Sequence, residues 1–173
     1  MGIKVIGLVA GENAGINSTR KPCRAMTPIR SFMTADHRHC DDLFAAAEKA
    51  LGGNNLEAAA VAFARFQAAM LAHFAGEENT LFPAFEAKIG SSSGPTQVMR
   101  LEHAQMRALL AAAGDALLAG HPDDCLEQMD TLLIMMQQHN MKEENILYPM
   151  CDQHLSAEQP ALLARLGNEL AAA

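Results

Sequence analysis

One pattern of chemically capable residues occurs twice in the chain. His73 is followed by Glu77 and Glu78, then by Asn79, Leu81, Phe82 and Pro83. In the same register, 66 residues on, His139 is followed by Glu143, Glu144, Asn145, Leu147, Tyr148 and Pro149. That offset also carries Asp36-His37 onto Glu102-His103, and Ala45-Ala46-Ala47 onto Ala111-Ala112-Ala113. A duplicated scaffold explains repeated Leu and Pro, which serve packing and shape. It does not explain repeated His and Glu, which are costly to bury unpaired. Four imidazoles (His37, His73, His103, His139) and two carboxylates (Glu77, Glu143) in an apolar interior need a cation. Imidazole with carboxylate suits iron, with manganese or zinc as alternatives. Two bridging carboxylates would give each of two metals two nitrogens and two oxygens. Coordination left open implies a small ligand rather than a purely structural site.

The elements that must position these groups are helices. Ala and Leu dominate the sequence, while Val, Ile and Thr are sparse, a balance that favours helix over strand. Thr27-Pro28 reads as a cap followed by Pro at the first helical position, opening a helix that runs to about Leu51. Gly52-Gly53-Asn54-Asn55 stops it. A second helical stretch covers about Leu56 to Ile89, and Gly90–Pro95 connects it to a third, about Thr96 to Ala119. A fourth covers about Asp123 to His154. Ser156-Ala157-Glu158-Gln159 resembles a capping box for a short C-terminal helix. Pro83 and Pro149 fall inside helical stretches and predict a kink or break at each. Short connections predict an all-α, up-down-up-down four-helix bundle built from a duplicated αα-hairpin. At about 1.5 Å per residue, antiparallel helices bring the four His to nearly one height. A spacing of four puts Glu77 on the face of His73 and Glu143 on the face of His139. Met70, Phe74, Met106, Met136 and Leu147 mark those faces as inward.

The 173 residues suit one domain. Residues 1–26 lack a helical period and read as a flexible N-terminal arm, ahead of a bundle over 27–173. Half the residues are hydrophobic, which excludes a disordered chain. The net charge is −7 with no long basic tract, which argues against nucleic acid. Cys23, Cys40, Cys125 and Cys151 form no C-x-x-C pair and read as thiols, not a disulfide framework. No stretch reads as long enough to cross a bilayer, and Met1–Ala10 is short for a signal-peptide core. The chain therefore reads as cytoplasmic, with no membrane partner.

His followed four residues later by Glu-Glu, with a lone His on alternate helices, resembles the hemerythrin-like HHE cation-binding family over about Thr34 to Cys151. The resemblance implies a bridged, non-haem di-iron centre in a four-helix bundle. It implies His37, His73, His103 and His139 as imidazole ligands, with Glu77 and Glu143 as bridging carboxylates. The oxygen-carrying hemerythrins have a fifth His where this chain has Arg107. They take an acidic ligand at the position of Glu144, which keeps Glu144 as a backup to Glu143. The four-His, two-Glu set looks more like the di-iron proteins linked to repair of iron centres under nitric oxide or oxidative stress. Those often carry an N-terminal cysteine pair, of which this chain has only Cys23.

The function expected is binding or reaction with nitric oxide, oxygen or peroxide. An electron donor or an iron-centre client protein would be the partner. The alternatives are a reversible oxygen or nitric oxide binder, and a metal-dependent interaction module without catalysis. No Glu is followed by His three residues later, which sets aside ferritin-like bundles. No His-Glu-x-x-His occurs, which sets aside zinc proteases. His39, His121 and His154 read as surface residues. Glu78 and Glu144 read as either supporting groups or solvent-facing. Asp36 and Glu102 read as pointing away from the adjacent His, and Asn79 and Asn145 as backbone contacts. Tyr148, which matches Phe82, reads as packing, with reach of its hydroxyl to the site as the alternative.

Overall fold

The computed structural model describes residues 27–53 and 55–171. The expected N-terminal arm, and Cys23 with it, lies outside them. The described residues are all-helical, with no strand among them. They form α1 (Ile29–Leu51), α2 (Leu56–Gly76), α3 (Phe82–Ile89), α4 (Pro95–Leu118), α5 (Pro122–Lys142), α6 (Tyr148–His154) and α7 (Gln159–Leu170). Two five-residue π-turns, Glu77–Leu81 and Glu143–Leu147, join α2 to α3 and α5 to α6.

The disturbance expected at each proline, a kink or a break, takes the form of these π-turns and not of a break. Proline in a helix clashes with the carbonyl four residues back and donates no hydrogen bond. A wider turn relieves the clash by bonding one residue further on. The Phe82 N–H donates to the Glu77 carbonyl, and the Tyr148 N–H to the Glu143 carbonyl. The chain therefore stays helical through Pro83 and Pro149.

Two expectations about helix ends are corrected. Thr27 does not cap α1; Pro28 occupies the cap position and the helix begins at Ile29. Its free N–H groups are instead satisfied from far along the chain. Asp152 accepts from Ile29 N at 2.6 Å and from Arg30 N at 3.3 Å, where its charge also complements the helix N-terminus. The Ser156–Gln159 capping box does not form, since Glu158 occupies the α7 cap in a helical conformation without a side-chain bond. Asn55 does cap α2, accepting from Ala58 N at 3.0 Å.

Helix α1 packs along α2, and α4 along α5. Phe44 meets Phe66 while His37 meets His73, so α1 and α2 run antiparallel. Gln67 bonds the Leu110 carbonyl while Phe74 stacks on His103, which makes α2 and α4 antiparallel as well. Two apolar layers fill the interior. One includes Cys40, Phe44, Phe63, Phe66, Met70, Phe74, Met106, Leu110, Met129 and Met136. The other includes Ile29, Met33, Leu81, Phe82, Phe85, Met99, Leu147, Tyr148 and Leu162. In sequence, His37 lies between Met33 of the second layer and Cys40 of the first, and His103 between Met99 and Met106. The polar residues thus form a slab between two hydrophobic ones.

The stretch Leu56–Ile89 is long and apolar enough to cross a membrane by composition, against the expectation that no stretch was. In the fold it buries Phe63, Phe66 and Phe74 in the bundle and carries the buried His73 and Glu77. Helix α7 covers the first π-turn. Arg165 donates to Thr80 Oγ1 at 3.0 Å, and that hydroxyl donates to Glu169 at 2.6 Å. Leu166 of α7 packs over Gly76, where a Cβ would lie 3.4 Å from its Cδ2, in ordinary contact.

Candidate metal centre

Six side chains converge in the slab. α1 supplies His37, α2 His73, α4 His103 and α5 His139; each π-turn opens with a glutamate, Glu77 or Glu143. None is more than 3% exposed. The imidazoles form two pairs, His37 with His73 and His103 with His139, each with ring centres 4.8 Å apart. Each glutamate reaches across both pairs. Glu77 Oε2 lies 3.3 Å from His73 Nε2 and 3.2 Å from His103 Nε2. Glu143 lies 3.2 Å from His37 Nε2 through Oε2 and 3.2 Å from His139 Nε2 through Oε1.

The outward nitrogens decide what the inward ones can do. Every Nδ1 is bonded to a carboxylate: His37 to Glu144, His73 to Asp36 and His103 to Glu78, each at 2.8 Å, and His139 to Glu102 at 2.9 Å. A carboxylate only accepts, so each Nδ1 carries the proton. In the neutral rings the four Nε2 atoms then present lone pairs inward, toward two carboxylates that also only accept. His103 Nε2 and His139 Nε2 face each other at 3.1 Å. His73 Nε2, Glu77 Oε2 and Glu143 Oε1 are fully buried without any hydrogen-bond partner. Orphaned acceptors converging in an apolar interior fit a cation. Donors about 2.0–2.2 Å from one ion, at right angles to each other, lie about 2.8–3.1 Å apart, close to the spacing seen here. Two overlapping groups could each hold a metal ion: Glu77, His103, His139 and Glu143, and His37, His73 and Glu143.

Without a metal, protons take over part of this role. Burial alone would lower the His73 value. The Glu77 carboxylate and the Asp36 hydrogen bond outweigh it and hold His73 well above the usual imidazole range. His139 is raised in the same way, burial being outweighed by Glu143. Burial would raise Glu77, but His73 and His103 hold it well below the carboxylate range. Glu143 is lowered too, with burial and Glu77 outweighed by His139 and His37.

The neighbours of the six divide in ways the sequence only partly disclosed. Asp36 and Glu102 do point away from the histidines beside them, but each points at the imidazole of the next helix. Glu78 and Glu144 are supporting carboxylates on Nδ1 atoms, and it is Glu143, not Glu144, that lies among the Nε2 atoms. Arg107 clamps Glu78 with two bonds, at 2.8 and 3.0 Å, and lies over the Phe74 ring. Lys142 bonds Glu102. Among the described residues, no cation bonds Asp36 or Glu144 other than the imidazoles they support. His39, His121 and His154 are exposed. Asn79 is exposed, and Asn145 donates to the Met141 carbonyl at 2.8 Å.

Of the two roles open to Tyr148, packing and reach of its hydroxyl to the site, the less expected one is found. Tyr148 is fully buried, with its hydroxyl 2.7 Å from Glu77 Oε1, 2.8 Å from Glu143 Oε2 and 3.1 Å from His37 Nε2. The π-turn puts it there. In an α-helix the fifth residue on lies about 140° round the axis. A turn closed by an i to i+5 bond brings it back above its start. The signal available in the sequence was the pairing of Glu143 and Pro149 around it.

The family model described as Hemerythrin HHE cation binding domain matches residues 29–151 of the chain. No curated protein and no solved structure matches it.

Proposed function

The chain belongs to the hemerythrin HHE cation-binding family, and on that premise we propose that its buried constellation holds a pair of iron ions. His37, His73, His103 and His139 are the imidazole ligands of this reading, and Glu77 and Glu143 the bridging carboxylates. A bound iron pair would supply redox chemistry and open coordination for a diatomic or oxidant ligand: nitric oxide, oxygen or peroxide. The protein residues have separate tasks. Asp36, Glu78, Glu102 and Glu144 fix the tautomer and orientation of the imidazoles. Phe74, Phe82 and Met106 exclude bulk water from the slab. A role in stress response or iron-centre repair, in the cytoplasm, completes the proposal. The up-down-up-down order and the duplicated hairpin belong to the same reading, supported by the 66-residue offset that relates each ligand and each Nδ1 carboxylate to its counterpart.

One observation carries the proposal: four imidazoles fixed with lone pairs inward around buried carboxylate oxygens that lack any partner. The test is elemental analysis of protein purified from iron-replete cells. About two irons per chain in the wild type, with strong loss in Glu77→Ala and in Glu143→Ala, is the expected result. One zinc, or full iron loading of both variants, would refute the ligand assignment.

A further inference from the structure

The duplicated halves match at every ligand and carry a carboxylate on every Nδ1, yet one of their differences brings a polar atom into the slab. Tyr148 corresponds to Phe82. The Phe82 ring stacks on His103, with centres 5.8 Å apart and planes 15° apart, and brings no polar atom. Tyr148 brings an oxygen to the matching place beside His37.

A buried tyrosine usually needs one hydrogen-bond partner. Tyr148 has two carboxylates and an imidazole nitrogen within 3.1 Å of its oxygen. A single O–H proton cannot serve both Glu77 and Glu143. His37 Nε2 does not supply another in the neutral ring, because its proton lies on the nitrogen facing Glu144. Acceptor atoms are therefore left in contact with no hydrogen between them. The separations from Tyr148 Oη, 2.7 to 3.1 Å, are close to those of adjacent donors on one ion.

We propose that the Tyr148 hydroxyl oxygen is a seventh protein donor, directed at the metal position held by His37 and His73. The inference rests on the iron-binding reading above. It makes the two positions inequivalent. The first has two imidazoles, the bridging carboxylates and a phenolic oxygen; the second, at His103 and His139, has no counterpart to that oxygen. Open coordination for a small ligand then lies on the His103 side, against Phe74 and Phe82. On coordination the phenol O–H bond breaks, its proton leaves to solvent, and the oxygen lone pair bonds the metal.

The sequence contains one tyrosine and no tryptophan, so any tyrosinate signal reports Tyr148 alone. The full chain would be loaded anaerobically with ferrous iron and oxidised with ferricyanide. It would then be examined by visible absorption, resonance Raman and elemental analysis. The expected result is a phenolate-to-ferric charge-transfer band whose ring modes shift when the protein carries ring-deuterated tyrosine. Tyr148→Phe, which copies Phe82, should keep its helicity and lose the band. A wild-type protein with two irons and no such band overturns the Tyr148 proposal alone. A wild-type protein that binds no iron overturns it together with the metal reading. The isotope shift is measured on the wild type, so the outcome stands even if the variant fails to fold.

Discussion

Truncating Asp36 to alanine tests whether the outer carboxylates set metal affinity. Asp36 Oδ2 accepts from His73 Nδ1 at 2.8 Å, and its side chain is 15% exposed. It bonds no lysine or arginine among the described residues, so its removal strands no cation, unlike removal of Glu78 or Glu102. A hydrogen bond involving a charged group contributes about 1.5–3 kcal/mol. At about 1.4 kcal/mol per decade this is roughly a 10- to 100-fold loss of affinity, the range typical of groups that support metal-bound imidazoles. The loss should fall on one metal of the pair, since His73 belongs with His37 and not with His139. Asp36→Asn, which retains a carbonyl oxygen, should lie between alanine and wild type. The assay is iron competition against a chromophoric chelator at fixed pH, read as two successive affinities. If Asp36→Ala leaves both affinities within about twofold of wild type, the argument that these carboxylates fix the imidazole tautomers is wrong.

Asp152→Ala should destabilise the protein by about 0.5–2 kcal/mol through loss of the α1 cap, seen as a lower urea midpoint with an unchanged slope; an unchanged midpoint would remove the capping account. Phe66→Ala deletes a fully buried ring in edge contact with Phe44 and Phe63, and should cost about 3–5 kcal/mol in chemical denaturation. The metal-free protein should also show a pH optimum of stability. His73 and His139 are raised in the fold, so their contribution is present below about pH 6.5 and fades as pH rises through their folded values. Glu77 and Glu143 are lowered, so theirs is present above about pH 4.3 and fades as pH falls through the folded values. Chelated protein should therefore unfold at lower urea near ~pH 8.5 than near ~pH 6, and the opposite slope would contradict these shifts. Cys40 and Cys151 are buried, which pushes Cys40 to about 11 and Cys151 further up; in peptide mapping both should resist alkylation at neutral pH until the protein is unfolded, and rapid labelling of either would contradict their burial.

The six residues brought together were legible because their requirement is stringent. His and Glu at a spacing of four, twice, within apolar surroundings, have few explanations other than a cation. The all-helical class followed from composition and from the stops at Gly52–Asn55 and Gly90–Pro95. What surrounds the six was harder to read. Reasoning along one helix sees that Asp36 points about 100° away from His37. It does not see that His73 waits there on α2. The register between helices decides that, and packing of side chains such as Phe44 against Phe66 sets the register. Asp152 at the start of α1 is invisible for the same reason, since the bond spans 123 residues.

The π-turns were illegible for a different reason. A proline inside a helical pattern signals disturbance without stating its form: a kink, a break and a widened turn all relieve the same clash. The widened turn places Phe82 and Tyr148 in the interior with Glu77 and Glu143 also buried. At the ordinary rotation of about 100° per residue, Tyr148 would lie well round the axis from Glu143 instead of beside it.

The departures from the repeat act on charge as well as on coordination. Glu78 is clamped by Arg107, but the position matching Arg107 in the other half is Asp41, which carries the sign of Glu144 itself. Asp41 is raised by burial and, to a smaller extent, by its acidic neighbours Asp42 and Glu144. Lys142 neutralises Glu102, and its counterpart is Gly76, where α7 packs instead. The His103 and His139 side thus has cations bonded to both of its outer carboxylates, and the His37 and His73 side has none on Asp36 or Glu144 among the described residues. Coulomb interactions at these separations are strong in a partly buried site. Cations held between the two sides would therefore meet more uncompensated negative charge near His37, on the side where Tyr148 adds its oxygen. One duplicated hairpin supplies a symmetric frame of ligands. Substitutions at Arg107, Lys142, Gly76 and Tyr148, none of them among the six, make its two ends electrostatically and chemically different.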